Sequence, residues 1–319
     1  MSDLTIDRRK QRWAPVQQPR PIQLTERDLD MLEWIGRHRL MHRGQIGRVI
    51  GSASQKLQYR VRSLFDHGYL ARPTAQISFL KQQGSRPFVY ELTSKGVDTL
   101  ESARGIPRRA IEWSGKRDAT KPRFIEHTLL VADIVIGFEL ACRELGGLRL
   151  IPQHDIIGNV TVDEHRHDHP MTWIAEVPEP GRAKRRIHRI KPDRAMQLVT
   201  SDGASANFLL EADRGTMPIQ RKLIKPGQRQ TWYAEKLAAY YWGWKARRHE
   251  EQFGWDSFRV LTVTTSETRI EQMVDCVMAL TEGRGSALFC FATEAALAHS
   301  NPLQLSWMNG KGETIRLLD

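Results

Sequence analysis

Apolar positions first recur at helical spacing in LTERDLDMLEWIGRHR, where Leu29, Leu32 and Ile35, with Trp34, mark one face of a helix. Thr25 is suited to cap that helix, and Asp28 stands three residues later, as a capping box requires. A short second helix is expected over HRGQIGRVIG, ended by Gly51. In SASQKLQYRVRSLFDHGYLAR, the spacing of Leu57, Val61, Leu64 and Phe65 predicts a third helix that stops near Gly68. YLARP and PFVYEL then read as two strands around the loop SFLKQQGSR, and SKGVDTLESA returns to a helix. Residues 1–22 and 105–123 show no period. The first stretch reads as a flexible basic arm with Arg8, Arg9, Lys10 and Arg12, the second as an inter-domain linker.

From Phe124 the pattern changes to alternating helices and strands. A helix is expected over 124–145, then a strand LRLIPQHD and a hairpin of TWIAEV with RRIHRIKPD. The strands AMQLV and ANFLLEAD follow, then a helix from Thr231 to Arg247, the strand FRVLTVT, a helix over 267–280 and the strand ALFCFAT. The predicted fold class is therefore α/β with more than one domain: an arm at 1–22, a helical domain with a hairpin at 23–104, a linker at 105–123 and a mixed-sheet domain at 124–319.

Composition adds a bias toward one kind of partner. Residues 1–123 carry 24 basic and 12 acidic side chains, a net of +12, whereas the remainder carries 24 and 25, a net of −1. A positive field confined to the front of the chain favours a polyanion, because Lys and Arg gain affinity by releasing counterions from a phosphate backbone. Cys142, Cys276 and Cys290 are too scattered for a disulfide framework or a thiolate zinc site, which fits a reducing cytoplasm. The most apolar stretch, FIEHTLLVADIVIGFELA, is interrupted by Glu126, His127, Asp133 and Glu139, so membrane insertion is not expected. MSDLTIDRRKQRW lacks the apolar core of a signal peptide.

Three helices followed by the phrase LFDHGYL and a hairpin resemble a winged helix-turn-helix across residues 24–104. With Leu57, Val61 and Leu64 turned inward, Ser54, Gln55, Gln58, Tyr59 and Arg62 are left on the outer face of the third helix. Gln and Arg can read adenine and guanine edges, and Ser and Tyr hold phosphates. Lys81 and Arg86 would sit in the wing as backbone contacts. A protein-docking role with a merely solvated polar face is the alternative.

In the second half, KPDRAMQL followed by NFLLEAD resembles the signature of the PD-(D/E)xK nuclease fold, and the order helix, three strands, helix, strand is the core order of that fold. Asp193 and Glu211 fall at the ends of neighbouring strands, where two carboxylates could share a divalent cation; hard oxygen ligands suit Mg²⁺, with Mn²⁺ as the other candidate. The winged helix, the PD dipeptide, FLLEADRGT and the downstream QTWYAEKLAAYY together resemble the replication-relaxation family of plasmids and integrative elements. That resemblance implies a DNA-binding protein of mobile-element replication or conjugative mobilisation. The nuclease pattern, however, wants Lys two positions after Glu211, and this chain has Asp213. Either a lysine from another element, Lys222 or Lys236, reaches the site, or Asp213 binds a second metal; otherwise the site has lost its chemistry.

Three further features stay open in the sequence. His165, His167 and His169 alternate in DEHRHDHP and suit either a transition metal or an exposed loop. In GRAKRRIHRIK, just ahead of Asp193, Arg185, Arg186 and Arg189 suit phosphate contact or a charged, solvated sheet edge. Trp232, Tyr233, Tyr240, Tyr241, Trp242 and Trp244 crowd one helix and are read mainly as core, as His127 is read as a structural hydrogen-bonding group. The expectation is thus a cytoplasmic protein whose winged helix finds duplex DNA and whose second domain either nicks DNA with Asp193, Glu211 and Mg²⁺ or has lost that chemistry, compatible with a homodimer and with contacts to other replication or mobilisation proteins. The alternative is a non-catalytic regulator or scaffold with a degenerate nuclease domain.

Overall fold

The computed structural model describes residues 13–52, 54–76, 87–108, 111, 122–158, 170–179, 185–219 and 232–318. The chain divides into two compact units, residues 1–136 and 137–319.

In the first unit α1 (Glu26–His38), β1 (Met41–His42), α2 (Arg43–Ile50), α3 (Gln55–Asp66), β2 (Leu70–Ala71), β3 (Val89–Leu92) and α4 (Ser94–Arg104) follow one another. The small sheet has the order β1-β3-β2, all antiparallel, and this is the order of a winged helix-turn-helix. The capping box forms as expected: the Thr25 side chain meets the N3 backbone while Asp28 accepts the Thr25 N–H at 2.7 Å. Gly51, at φ 69°, ends α2 in the left-handed region. Leu57, Val61, Leu64 and Phe65 are the buried residues of α3. One tie between helices was not visible in the pattern. Arg60 of α3 reaches back to Asp28 of α1, with Nε 2.6 Å from Oδ1.

The long helix α5 (Pro122–Leu145) begins in the first unit. Ile125 is buried with Leu40 and Val89, Gln45 Nε2 donates to the Leu129 carbonyl at 2.8 Å, and Arg48 pairs with Asp133 at 3.0 Å. These contacts explain why the division falls between Ile136 and Gly137, inside the helix, whereas the sequence pattern placed the second domain from Phe124. Ile111, in the stretch read as linker, is buried, and a Cβ on Gly36 would come within 3.1 Å of it.

The second unit contains β4 (Leu148–Ile151), α6 (Gln153–Gly158), β5 (Trp173–Pro178), β6 (Arg185–Ile190), β7 (Arg194–Thr200), β8 (Ser205–Ala212), α7 (Tyr233–Lys245), α8 (Arg248–Phe253), β9 (Arg259–Thr264), α9 (Glu267–Leu280), β10 (Ser286–Thr293), α10 (Glu294–Ala298), β11 (Trp307–Gly310) and β12 (Thr314–Ile315). The expected strand LRLIPQHD stops at Ile151. Pro152 ends the pairing and its carbonyl accepts the first N–H groups of α6. The main sheet has the order β12-β11-β10-β9-β8-β7-β4; β8, β9 and β10 run parallel, and β4, β7 and β8 form an antiparallel meander. β5 and β6 make a separate two-stranded ribbon, with Trp173 fully buried against α7. The fold is therefore mixed α/β, as the pattern predicted.

Helices α7 and α9 supply Leu237, Tyr240, Ile270, Met273 and Val277 to a core that includes Leu209, Val260 and Phe289 of the sheet. Gly243 is required in α7, because a Cβ there would lie 2.2 Å from the Trp173 indole nitrogen. All three cysteines are buried and unbridged. Among the described residues no helix is long and apolar enough to cross a membrane.

Candidate functional site

The candidate site lies at the carboxyl end of parallel strands β8 and β9, where β7 joins with the opposite direction. Open α/β sheets place their ligands in the crevice outside the carboxyl ends of their strands. Asp193 immediately precedes β7, so the antiparallel register sets it against the end of β8. Its N–H donates to the Leu210 carbonyl at 2.9 Å and its Oδ2 accepts the Ala212 N–H at 2.8 Å. These two backbone bonds hold the carboxylate on either side of Glu211.

Glu211 occupies β8 opposite Thr262 of β9 and is 2% exposed. Its Oε2 accepts Lys236 Nζ at 2.6 Å, and its Oε1 accepts the Tyr240 hydroxyl at 2.6 Å. Lys236 and Tyr240 are four apart on α7 and so share a face. Tyr233, one turn earlier, bonds Thr262 Oγ1 at 2.8 Å. Burial raises the Glu211 carboxyl; Lys236 opposes this and the Asp193 charge adds to it, leaving the group pushed up to about 7. Burial acts to lower the Lys236 pKa, but the carboxylates of Glu211 and Asp193 outweigh it and hold the amine above its ordinary value. Lys236 therefore stays an ammonium through the neutral range. It can hold a carboxylate and stabilise developing negative charge, but it does not act as a base.

Asp213, where the nuclease pattern wants Lys, is tied elsewhere. Its Oδ2 accepts Thr264 Oγ1 at 2.6 Å and Arg269 Nε at 2.8 Å, and its Oδ1 accepts the Gly215 N–H at 3.3 Å. Arg269 also donates to the Met217 carbonyl at 3.0 Å, so the group pins the chain after β8 to β9 and α9. Of the replacements the sequence left open, the geometry brings Lys236 to Glu211 and turns Asp213 toward Arg269. Lys222 lies outside the described residues. A cleft of about 590 Å³, lined by Leu198, Phe208, Arg259 and Leu317, opens at the other end of these strands and takes no part in the site.

Asp193 and Glu211 offer hard oxygen donors of the kind Mg²⁺ takes. Each carboxylate oxygen has two lone pairs, so a hydrogen bond to Lys236 or Tyr240 leaves capacity for a cation. Among the described residues no group of three or more His, Cys, Asp or Glu is placed to hold a metal ion. Two carboxylates nonetheless fit Mg²⁺, which keeps waters and substrate oxygens in its remaining positions. His165, His167 and His169 lie outside the described residues.

Glu211 makes a testable contribution to stability. Its folded pKa of about 7 exceeds the ordinary 4.5, so the folded state retains a proton that the unfolded state releases between those values. The stabilisation is full below about pH 4.5 and is lost as pH rises through about 7. Urea unfolding should show the stability difference between wild type and Glu211→Gln falling across that window; a difference independent of pH would contradict it.

In the first unit Gln55, Gln58 and Tyr59 are exposed on α3, Tyr59 at 81%. The Ser54 hydroxyl is partly occupied, because it caps α3 by accepting the Leu57 N–H at 3.4 Å. Arg62 departs from the expected groove-facing set. Its Nε binds Asp66 at 2.8 Å, Nη2 donates to the Ala14 carbonyl at 3.1 Å, and the guanidinium lies over Phe65. The carboxylate one turn along the helix draws it back onto the protein. Arg43, which the pattern did not single out, donates to Gln58 Oε1 at 2.5 Å and adds a cation to this face. Lys81 and Arg86 lie outside the described residues. Arg185, Arg186 and Arg189 are exposed on β6, with Arg186 3.4 Å from Glu235 of α7. Of the aromatic residues on α7, Tyr233, Tyr240 and Tyr241 are buried, while Trp244 is 38% exposed. His127 is half-buried on α5.

If α3 contacts duplex DNA, Tyr59→Ala should weaken that binding about tenfold, the equivalent of about 1.4 kcal/mol, without shifting the unfolding midpoint, since the exposed ring contributes little to the core. Fluorescence anisotropy with a labelled duplex measures this, and unchanged affinity would remove Tyr59 from the interface.

The architecture is that of a winged helix-turn-helix arrangement joined in one chain to a mixed α/β sheet with two carboxylates and a lysine at the carboxyl end of its parallel strands. A model of the Replication-relaxation family matches residues 32–252, a span that includes α3, Asp193, Glu211 and Lys236. The chain belongs to the Replication-relaxation family. No match was found among curated proteins or among solved structures.

Proposed function

We propose that this chain is a DNA-binding protein of mobile-element replication or conjugative mobilisation whose second unit nicks DNA with a divalent cation. The winged helix binds duplex DNA through Gln55, Gln58, Tyr59 and Arg43. Arg185 and Arg189, on the strand that leads toward Asp193, meet the phosphates near the site. The observation that carries the catalytic reading is the 2.6 Å bond from Lys236 to Glu211, which returns to the acidic pair the positive charge that position 213 lacks.

In this reading Asp193 and Glu211 hold Mg²⁺ or Mn²⁺. When bound, the ion would polarise the scissile phosphate and lower the pKa of a water. Lys236 favours the ionised form of Glu211 against burial and the Asp193 charge, and stabilises charge that develops on the phosphate. Tyr240 fixes the orientation of the Glu211 carboxylate, and the backbone bond from Ala212 fixes Asp193. Asp213, Thr264 and Arg269 hold the end of β8 in place.

A second reading, a regulator or scaffold without catalysis, is favoured by one observation. Glu211 is 2% exposed, with both oxygens already hydrogen-bonded. A supercoiled-plasmid assay with Mg²⁺ and with Mn²⁺ separates the two. Nicking by the wild type that is lost in Asp193→Ala and in Glu211→Ala supports catalysis. No nicking of a plasmid that the protein demonstrably binds supports the scaffold.

A further inference from the structure

The ribbon of β5 and β6 has two unlike faces. Its register sets Trp173 opposite Ile190, Ala175 opposite His188 and Val177 opposite Arg186, so these pairs share one face. The pairs Ile174 with Arg189, Glu176 with Ile187 and Pro178 with Arg185 share the other. The first face packs on α7. Trp173 is fully buried and its Nε1 donates to the Ala239 carbonyl at 3.3 Å, while Arg186 reaches Glu235, the neighbour of Lys236. Gln252 of α8 holds the start of the ribbon by donating to the Pro170 and Thr172 carbonyls at 2.7 and 3.2 Å. The ribbon is thereby a fixed platform. Arg189 stands four residues before Asp193, and a chain that spans at most about 3.6 Å per residue keeps the two within about 14 Å.

The second face is open. Arg185, Ile187 and Arg189 are exposed, Ile187 at 62%, and Glu176 opposite Ile187 is exposed as well. Residues two apart on a strand lie about 6.8 Å from each other, so Arg185 and Arg189 stand about 13 Å apart with Ile187 midway. The major groove of duplex DNA is about 12 Å wide and admits a two-stranded ribbon. A ribbon laid in it brings the two arginines to the phosphate walls and the central pair to the base edges.

We propose that the outer face of β5 and β6 enters the major groove of bound duplex DNA, with Arg185 and Arg189 on the phosphates and the Glu176–Ile187 pair reading bases. This deepens the reading of the chain as a DNA-binding protein and rests on it: the unit that carries Asp193 then helps to select the sequence held at the acidic site. An apolar side chain in the groove packs against the thymine methyl, and a carboxylate accepts from the amino group of cytosine. Away from such a cytosine the Glu176 charge only repels phosphate, so the carboxylate disfavours other sequences as well as favouring its own. The arginines add affinity without sequence preference.

The test is selection of bound duplexes from a random-sequence pool by the full chain, with affinity measured over a series of salt concentrations. All four side chains are exposed, so their replacement leaves the core intact. Each phosphate contact contributes about 0.9 to the slope of log affinity against log salt, so Arg185→Gln with Arg189→Gln should lower that slope by about 2 and leave the base preferences in place. Glu176→Gln with Ile187→Ser should keep a slope close to wild type and lose preferences of about fivefold to tenfold at cytosine and thymine positions, while the remaining preferences persist. Identical base preferences in the wild type and in Glu176→Gln with Ile187→Ser, or an unchanged slope in the arginine variant, would overturn the inference although DNA binding stands. If the wild-type chain binds no duplex at any salt, the DNA-binding reading falls and this inference with it.

Discussion

Lys236→Met is expected to reduce metal-dependent nicking by about 10²–10³-fold while leaving duplex affinity close to wild type. Methionine keeps most of the length of the stem and removes the ammonium. Two losses then coincide. The developing phosphate charge loses a nearby cation, and Glu211 loses the partner that opposes burial and the Asp193 charge. Its carboxyl then rises above about 7 and is protonated at neutral pH, so it ceases to be an anionic ligand. The second loss has its own signature: activity of Lys236→Met should recover in part as pH is raised toward 9, whereas Asp193→Ala should not recover. Nicking rates on supercoiled plasmid from pH 6 to 9 measure both. A wild-type rate in Lys236→Met would show that the lysine is a structural partner of Glu211 and nothing more.

Asp28→Ala should cost the first unit about 1–3 kcal/mol, since it removes a helix cap and the charged partner of the part-exposed Arg60. The Asp28 side chain is 1% exposed, accepts both the Thr25 N–H and the Thr25 hydroxyl at 2.7 Å, and binds Arg60 through two guanidinium nitrogens. The substitution removes a helix cap and leaves Arg60 of α3 without its carboxylate. Burial raises the Asp28 carboxyl, but the bonds from Arg60 and Thr25 outweigh it and hold the group below its ordinary 3.8. The stabilisation is therefore present above pH 3.8 and is lost as pH falls through the lower, folded value. Denaturant unfolding at pH 7 should show the full deficit, and the gap should narrow in strong acid. A wild-type midpoint at pH 7 would mean that the Asp28–Arg60 tie contributes nothing measurable to the first unit. Because Arg60 anchors the helix that carries Gln58 and Tyr59, the variant should also bind duplex DNA more weakly.

Much of the fold was legible because its signals are local. Thr25 with Asp28, Gly51, and the spacing of Leu57, Val61 and Leu64 each act within one or two turns of helix, and all three behave as the pattern predicts. Asp193 and Glu211 could be set together from sequence because their strands are consecutive and antiparallel, so register alone brings their ends into line. What sequence could not decide depends on longer paths. Lys222 and Lys236 were equal candidates until the placement of α7 brought one of them to Glu211. Tyr240 was read as core, and it is core, but its hydroxyl also has a buried partner; a crowd of aromatic residues conceals which ring carries a task. Arg62 was assigned to the groove by its position on the helix. The signal against this was present in Asp66, four residues along, but the Ala14 carbonyl that completes its binding was not. The helices α8 and α10 and the short strands β11 and β12 passed unseen because each is too brief to establish a period.

In the proposed mechanism Lys236 restores working chemistry to an acidic pair that lacks the expected lysine at position 213. That role is tested most directly by a supercoiled plasmid incubated with wild type and with Lys236→Met in Mg²⁺ at pH 8, with binding to the same plasmid measured in the same buffer. The account predicts that both proteins bind and that only the wild type converts the plasmid to the open circle at an appreciable rate. Equal nicking by the two, or no nicking by a wild type that is visibly bound, would contradict it.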